Sequence, residues 1–279
     1  MTPMMTVLLK RASLSIFLLF LGVLPGLAAD RERVERFLEI TGFDVALESI
    51  ALGAGQAPQM LGLEPGRFGA DWKITSEIVF DTRVMHRMAV DILEQALEDD
   101  LLDHAIGFYA SNLGQRLVAV ENDAHMEEGE DRRKLGEDLL AELGDAAMPR
   151  MDLFQRMSKA IDPDGIGVKA LQEIQIRFLL AASAAGVIEL RLDEGGLRAV
   201  MAEREPEMRA AIARNAVLSS SYTYRAFDLE DLTAYVEALE DPRMQRVYEL
   251  LNAVQYEITA NRFEALAVRL SELQPGQDI

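Results

Sequence analysis

The chain of 279 residues contains no cysteine. No disulfide framework can hold it, so the fold must rest on burial of apolar side chains. Lysine is scarce, with only Lys10, Lys73, Lys134, Lys159 and Lys169. The arginine excess reads as GC-rich bacterial coding bias, not as a functional signal. Histidine occurs three times, as His86, His104 and His125. There is no Gly-x-Ser-x-Gly, no His-Glu-x-x-His, no phosphate loop and no cysteine pair. Gly53-Ala54-Gly55 lacks both a third glycine and a preceding strand, which excludes a dinucleotide fingerprint. No window alternates apolar and polar residues with period two, so no sheet is expected.

What is present begins with charge. The chain carries 28 basic against 47 acidic residues, a net charge of −19. That charge opposes nucleic acid and anionic lipid surfaces. It favours solubility, basic partners or cations. Thirteen methionines suit irregular helix–helix packing better than metal handling.

Lys10 and Arg11 precede an apolar run from Ala12 to Leu24, which Pro25 and Gly26 break. Gly26-Leu27-Ala28 then offers small residues to a signal peptidase. This order predicts a secretory signal peptide over 1–28, cleaved after Ala28 or Ala29. An uncleaved anchor would need ~20 apolar residues, which this run reaches only across the Pro-Gly break. Without cysteine, an amino-terminal lipid anchor is excluded too. Loss of Lys10 and Arg11 leaves 26 basic residues against 47 acids and moves the net charge from −19 to −21. The mature protein is therefore expected free in the periplasm of a Gram-negative bacterium, without stable membrane insertion. About 250 residues remain, ample for one or two ordinary cores. The strongest later apolar run, Phe178 to Leu190, has Arg177 before it and Glu189 within it, and reads as a buried core helix.

The mature chain has helical periods almost throughout, and the expected fold is all-α. Val34, Phe37 and Leu38 open a stripe that stops at Thr41-Gly42, and Asp44 is the expected cap of the next helix. Gly53 to Gly69 holds five glycines and two prolines in seventeen residues, which predicts a long loop. Asp71 opens a long helix with Ile74, Ile78, Met85, Met88, Ile92 and Ala96 on one face. Asp99 and Asp100 cap a helix with Leu102, Ile106 and Tyr109. Ser111 caps another, with Leu113, Leu117, Val120 and Ala124 in line and Glu121, Asp123 and Glu127 on a charged far side. Gly129 and Gly136 flank a charged, poorly apolar stretch. After Met148-Pro149 a helix from about Arg150 to Ile161 leads to a turn at Asp162-Pro163-Asp164-Gly165. The small residues from Ala181 to Gly186 permit close backbone approach. Gly195-Gly196 and Pro206 punctuate two helices. Asp228 to Leu239 and Pro242 to about Leu273 close the chain.

Two segments align without a gap at an offset of 130 residues. Leu102 matches Leu232, Ile106 matches Val236, Tyr109 matches Leu239 and Val120 matches Leu250. Gln115-Arg116-Leu117 matches Gln245-Arg246-Val247. Ser111 and Asp241 are good N-caps, and Pro242 stands at the first helical position, where its missing N–H costs nothing. Each copy is a helical hairpin that cannot bury its stripe alone. The expected organisation is two related helical units, 29–148 and 149–279.

The stretch from Phe108 to Leu117, Phe-Tyr-Ala-Ser-Asn-Leu-Gly-Gln-Arg-Leu, resembles the signature of domain of unknown function 2059. That pattern is an aromatic, a Ser-Pro pair, then Gly-Gln and a basic residue. Here Asn112 replaces the proline and Leu113 the usual acid; the second copy keeps the proline as Pro242 and has Met244 for the glycine. The strong likeness covers Leu101 to Met126, with a weaker one from Val34 to Ile50. The resemblance implies an exported, all-helical bacterial protein and brings no activity.

The residues singled out by the motif are Tyr109, Ser111, Gly114 and Gln115. They read either as a small recognition patch at a helix corner or as a corner lock, with Tyr109 packing and Gly114 letting one helix approach the other. Asp100 and His104, and Glu121 and His125, are spaced to share helix faces. Brought together, they could bind a divalent metal. Asp162 to Gly165 fails as a calcium loop, because Ala160 and Leu171 would fall at ligand positions. The run from Glu127 to Lys134 neutralises itself. The leading functional expectation is a non-catalytic interaction or envelope-maintenance protein with an unknown protein partner and no cofactor. The alternatives are a carrier of an apolar ligand, gated by the 53–69 segment, and a metal-assisted hydrolase using His104 and His125.

Overall fold

The computed structural model describes residues 30–64, 69–127 and 129–273. The expected signal segment, with Ala28 and Ala29, lies outside them. Among the described residues the protein is all-α and has no strand. Helix α1 (Arg31–Thr41) starts at Asp30, whose carboxylate accepts the Glu32 N–H at 3.4 Å. It stops at Gly42, which takes φ 72° and turns the chain directly into α2 (Phe43–Gly53). Asp44 therefore lies in the first turn of α2 and is not its cap. Its carboxylate instead meets His86 Nδ1 at 2.6 Å.

The expected loop at Gly53–Gly69 is mostly helix. α2 runs to Gly53, a 3-10 turn follows at Ala54–Gln56, and α3 covers Ala57–Met60. Ala54, Ala57 and Leu61 are buried in the core, and that burial overrides the glycines' preference for loops. Residues 65–68 lie outside the described residues. The long helix expected from Asp71 is two, α4 (Gly69–Val79) and α5 (Thr82–Ala96), because Asp81 turns extended and caps α5 through the Arg83 N–H at 2.9 Å. The break rotates the faces. Ile74 and Ile78 are 58 % and 60 % exposed, while Val79, Met85, Val90 and Leu93 are buried.

Next come α6 (Asp99–Tyr109), α7 (Asn112–Met126), α8 (Gly129–Leu143) and α9 (Met148–Ile161). Glu98 is the N-cap of α6, with Asp99 and Asp100 in its first turn. α10 (Gly167–Ala184) places Phe178 and Ala182 in the core, but the helix expected to run to Leu190 stops at Ala184. Of the small-residue run that follows, Ala182 is fully buried, but Gly186 is open on all sides. Its φ of 74° makes it a helix stop rather than a contact. The two helices expected around Gly195-Gly196 and Pro206 are one, α11 (Glu194–Thr223). The glycines fall in its first turn, where Asp193 accepts the Gly196 N–H at 2.8 Å. Pro206 is exposed, so the carbonyl it leaves unbonded faces water.

α12 (Leu229–Leu239) and α13 (Pro242–Glu272) match their expected bounds, with Asp228 and Asp241 as caps. α13 gives ten residues to the core, among them Met244, Val247, Ile258, Phe263 and Leu266. Each large apolar side chain so buried contributes about 2 kcal/mol before entropy is counted. α13 packs on α4, α5 and α6 as well as on α9, α10 and α12. One continuous core therefore crosses residues 148 and 149. The α6–α7 and α12–α13 corners share backbone angles: Ala110 at φ −77°, ψ −8° and Glu240 at φ −76°, ψ −10°.

Candidate functional site

The first corner is locked by its own residues. Ser111 Oγ accepts the Gly114 N–H at 3.0 Å, as a cap should. A Cβ on Gly114 would stand 2.6 Å from Tyr109 Cα and closer still to the Phe108 carbonyl oxygen, so only glycine fits. Gln115 Nε2 donates to the Tyr109 carbonyl at 2.6 Å, closing the last turn of α6. Tyr109 is buried, its ring edge-on to Phe108 at 5.1 Å and its hydroxyl bonded to that of Tyr248 on α13. Tyr109 and Gly114 are thus buried, while Ser111 and Gln115 tie the corner's backbone from its exposed side.

Below the corner lies a feature the sequence reading placed wrongly. Glu121, expected on the charged far side of α7, points inward four residues after the fully buried Leu117. The hydroxyls of Tyr224 and Tyr235 donate to its Oε1 at 2.6 and 2.8 Å. Tyr248 adds its hydroxyl 3.4 Å from that of Tyr235. Four of the six tyrosines therefore gather round one carboxylate. Phe108 stacks on Tyr235 with centroids 5.9 Å apart and planes 5° from parallel. Tyr224 meets Tyr235 edge-on at 5.9 Å. Desolvation raises the Glu121 carboxyl above the usual carboxylate range, and the two hydroxyls oppose that rise. Burial, and after it the Glu121 charge, lifts Tyr224 and Tyr235 well above an ordinary phenol. These tyrosines stay protonated near neutral pH and act as hydrogen-bond donors, not as bases.

A cleft of about 200 Å³ opens beside the cluster, between the α1–α2 turn, α7 and α13. Phe43, Tyr109 and Tyr248 supply its aromatic wall, and Asn122, His125 and Gln255 its polar groups. Glu121 faces this cleft. Both hydrogen bonds to the carboxylate fall on Oε1, and among the described residues none reaches Oε2.

The paired histidines do not assemble. His104 Nε2 lies 3.6 Å from Asp241 Oδ1 on the second corner and makes no bond with Asp100. Glu121 is bound by tyrosines and not by His125. Among the described residues no three His, Asp or Glu side chains are grouped to hold a metal ion. The Asp162–Gly165 segment is the expected turn, with the Asp162 carboxylate accepting the Ile166 and Gly167 N–H groups at 2.8 and 2.9 Å. The charged stretch after Gly129 proves to be a packing helix. Gly136 presses on α11 so closely that a Cβ would stand 2.8 Å from the Leu218 carbonyl carbon.

Sequence reasoning missed the tyrosine cluster because Tyr224, Tyr235 and Tyr248 lie over a hundred residues beyond Glu121. The available signal was Glu121 itself, four residues after Leu117 and three before Ala124, on the apolar stripe and not opposite it.

Residues 83–142, from α5 to α8, match the model of the family described as an uncharacterized protein conserved in bacteria, DUF2059. The match contains the Leu101–Met126 likeness; the weaker one at Val34–Ile50 falls outside it. No curated protein and no solved structure matches the chain.

Proposed function

We propose that the protein is a non-catalytic interaction or envelope-maintenance protein, exported to the periplasm. The observation that supports this reading best is that Tyr109, Ser111, Gly114 and Gln115 hold a corner, Tyr109 and Gly114 by burial and Ser111 and Gln115 by hydrogen bonds to backbone, and offer no reactive group. The net charge of −19 and the amino-terminal basic-then-apolar pattern agree with a solvated, exported chain. We read 29–148 and 149–279 as related units, from the gap-free alignment at an offset of 130 residues and the similar helix ends at Ala110 and Glu240.

The test is expression with the natural leader in a Gram-negative host, followed by fractionation, intact mass and crosslinking in cells. The expected result is a periplasmic chain starting after Ala28 or Ala29 and crosslinked to an envelope protein. A full-length cytoplasmic chain would overturn export; an uncrosslinked chain would overturn the partner. A second reading, a carrier of an apolar ligand, draws on a cavity of about 400 Å³ lined by Pro163, Ile166, Pro242, Ala253 and Tyr256. It is not bordered by the 53–69 segment. Native mass spectrometry of protein from its own host decides this one: co-purifying lipid supports the carrier, and a bare cleaved chain removes it.

A further inference from the structure

We infer that the cleft beside Glu121 binds a small organic cation, a primary ammonium group on a short carbon chain, with Glu121 Oε2 as its counter-ion. This does not rest on the interaction reading above. The cleft shows an imbalance of charge. Glu121 is held between α7, α11, α12 and α13 by tyrosines, which donate hydrogen bonds but carry no charge. Among the described residues no lysine or arginine forms an ion pair with it. A carboxylate withdrawn from water without a cation is costly, and interiors supply a partner where they can. Here the partner's place is the open cleft.

The lining selects the ligand class. Both tyrosine bonds converge on Oε1, which leaves Oε2 without a bond, and Glu121 lines the space bordered by Asn122, His125 and Gln255. The Gln255 and Asn122 side chains make no hydrogen bond elsewhere among the described residues, so their carbonyl oxygens can accept from an ammonium group. The rings of Phe43, Tyr109 and Tyr248 offer aromatic surface to the same volume. A hard metal ion would gain nothing from those rings, and it would find a single carboxylate. An anion would meet Glu121. The volume of about 200 Å³ equals roughly six to seven water molecules at ~30 Å³ each. That suits an alkylammonium of about five heavy atoms and is too small for a drug-sized ligand.

The experiment is an amide NMR titration of the mature chain with n-butylammonium chloride, with sodium butyrate and calcium chloride as controls at equal ionic strength. Saturable shifts confined to residues 41–46, 121–125 and 248–255 are expected with butylammonium alone. Glu121→Gln keeps an acceptor for Tyr224 and Tyr235 but removes the charge, and should weaken binding at least tenfold. Absence of a saturable shift, shifts centred elsewhere, or an equal response to butyrate would overturn the site. Tighter binding of calcium to the same residues would overturn the ligand class. The wild-type titration decides even if the variant fails to fold.

Discussion

Two corners of this molecule leave their first helix at nearly the same backbone angles, at Ala110 and Glu240, and continue with opposite chemistry. At α6–α7 the helices close because a side chain is missing: Gly114 lets α7 touch the α6 backbone, Ser111 caps, and Gln115 ties the turn to Tyr109. At α12–α13 the position of Gly114 is held by Met244, fully buried, and the cap is Asp241, followed by Pro242. Asp241 accepts the Arg243 N–H at 2.9 Å and pairs with the Arg243 guanidinium at 3.0 Å. One corner relies on contact, the other on filling and charge. The two even meet, since His104 of α6 stands 3.6 Å from Asp241. Similar geometry is thus no guide to what a substitution will cost.

The sharpest way to break the comparison is to exchange its central residues. Gly114→Met places the second corner's residue in the first, where immovable backbone blocks it. We expect a loss of about 4 kcal/mol or more, above the usual cost of overpacking. Equilibrium denaturation checks it, and unchanged melting would refute the lock. Met244→Ala tests the filling of the second corner. It should cost roughly 3 kcal/mol as a buried-methionine truncation, read from the same denaturation curves; a loss below about 1 kcal/mol would mean the corner collapses onto the gap.

The caps come next. Ser111→Ala should cost about 1 kcal/mol, and Asp241→Ala a similar amount at neutral pH. The last difference is pH dependence. The Arg243 side chain, and then its backbone N–H, hold the Asp241 carboxyl at about 2, below the ordinary value of ~3.9. A depressed folded-state pKa contributes stability above the unfolded value and loses it as pH falls from about 4 to about 2. Asp241→Ser, which copies the first corner's cap, should flatten the fall in the urea midpoint across that window. Parallel curves for the two proteins would show that Asp241 contributes nothing to the acid response.

The all-α class, the bounds of α12 and α13 and the caps at Ser111 and Asp241 were legible because they depend on local rules: period, cap chemistry and proline at a first turn. What failed depended on distant neighbours. Gly195, Gly196 and Pro206 read as breaks, yet position within the helix and exposure to water make them tolerable. The Gly53–Gly69 segment read as a loop, yet its Ala54, Ala57 and Leu61 are buried by the surrounding core. Gly136 read as punctuation, and it is the point where α8 meets the Leu218 carbonyl. At the site, the corner was readable from its motif, whereas Glu121 acquires its meaning only when α11, α12 and α13 fold over it.

The placement of α13 has a kinetic consequence. Its contacts with α4, α5 and α6 join residues more than 130 apart in sequence, and loops of that span close late. As the chain is synthesised, α1 to α7 emerge without the wall that covers them, and Tyr248 is not yet present to meet Tyr109. The earlier helices must wait, loosely formed, until the final thirty or so residues arrive. Such a chain completes its core only near the end of its synthesis.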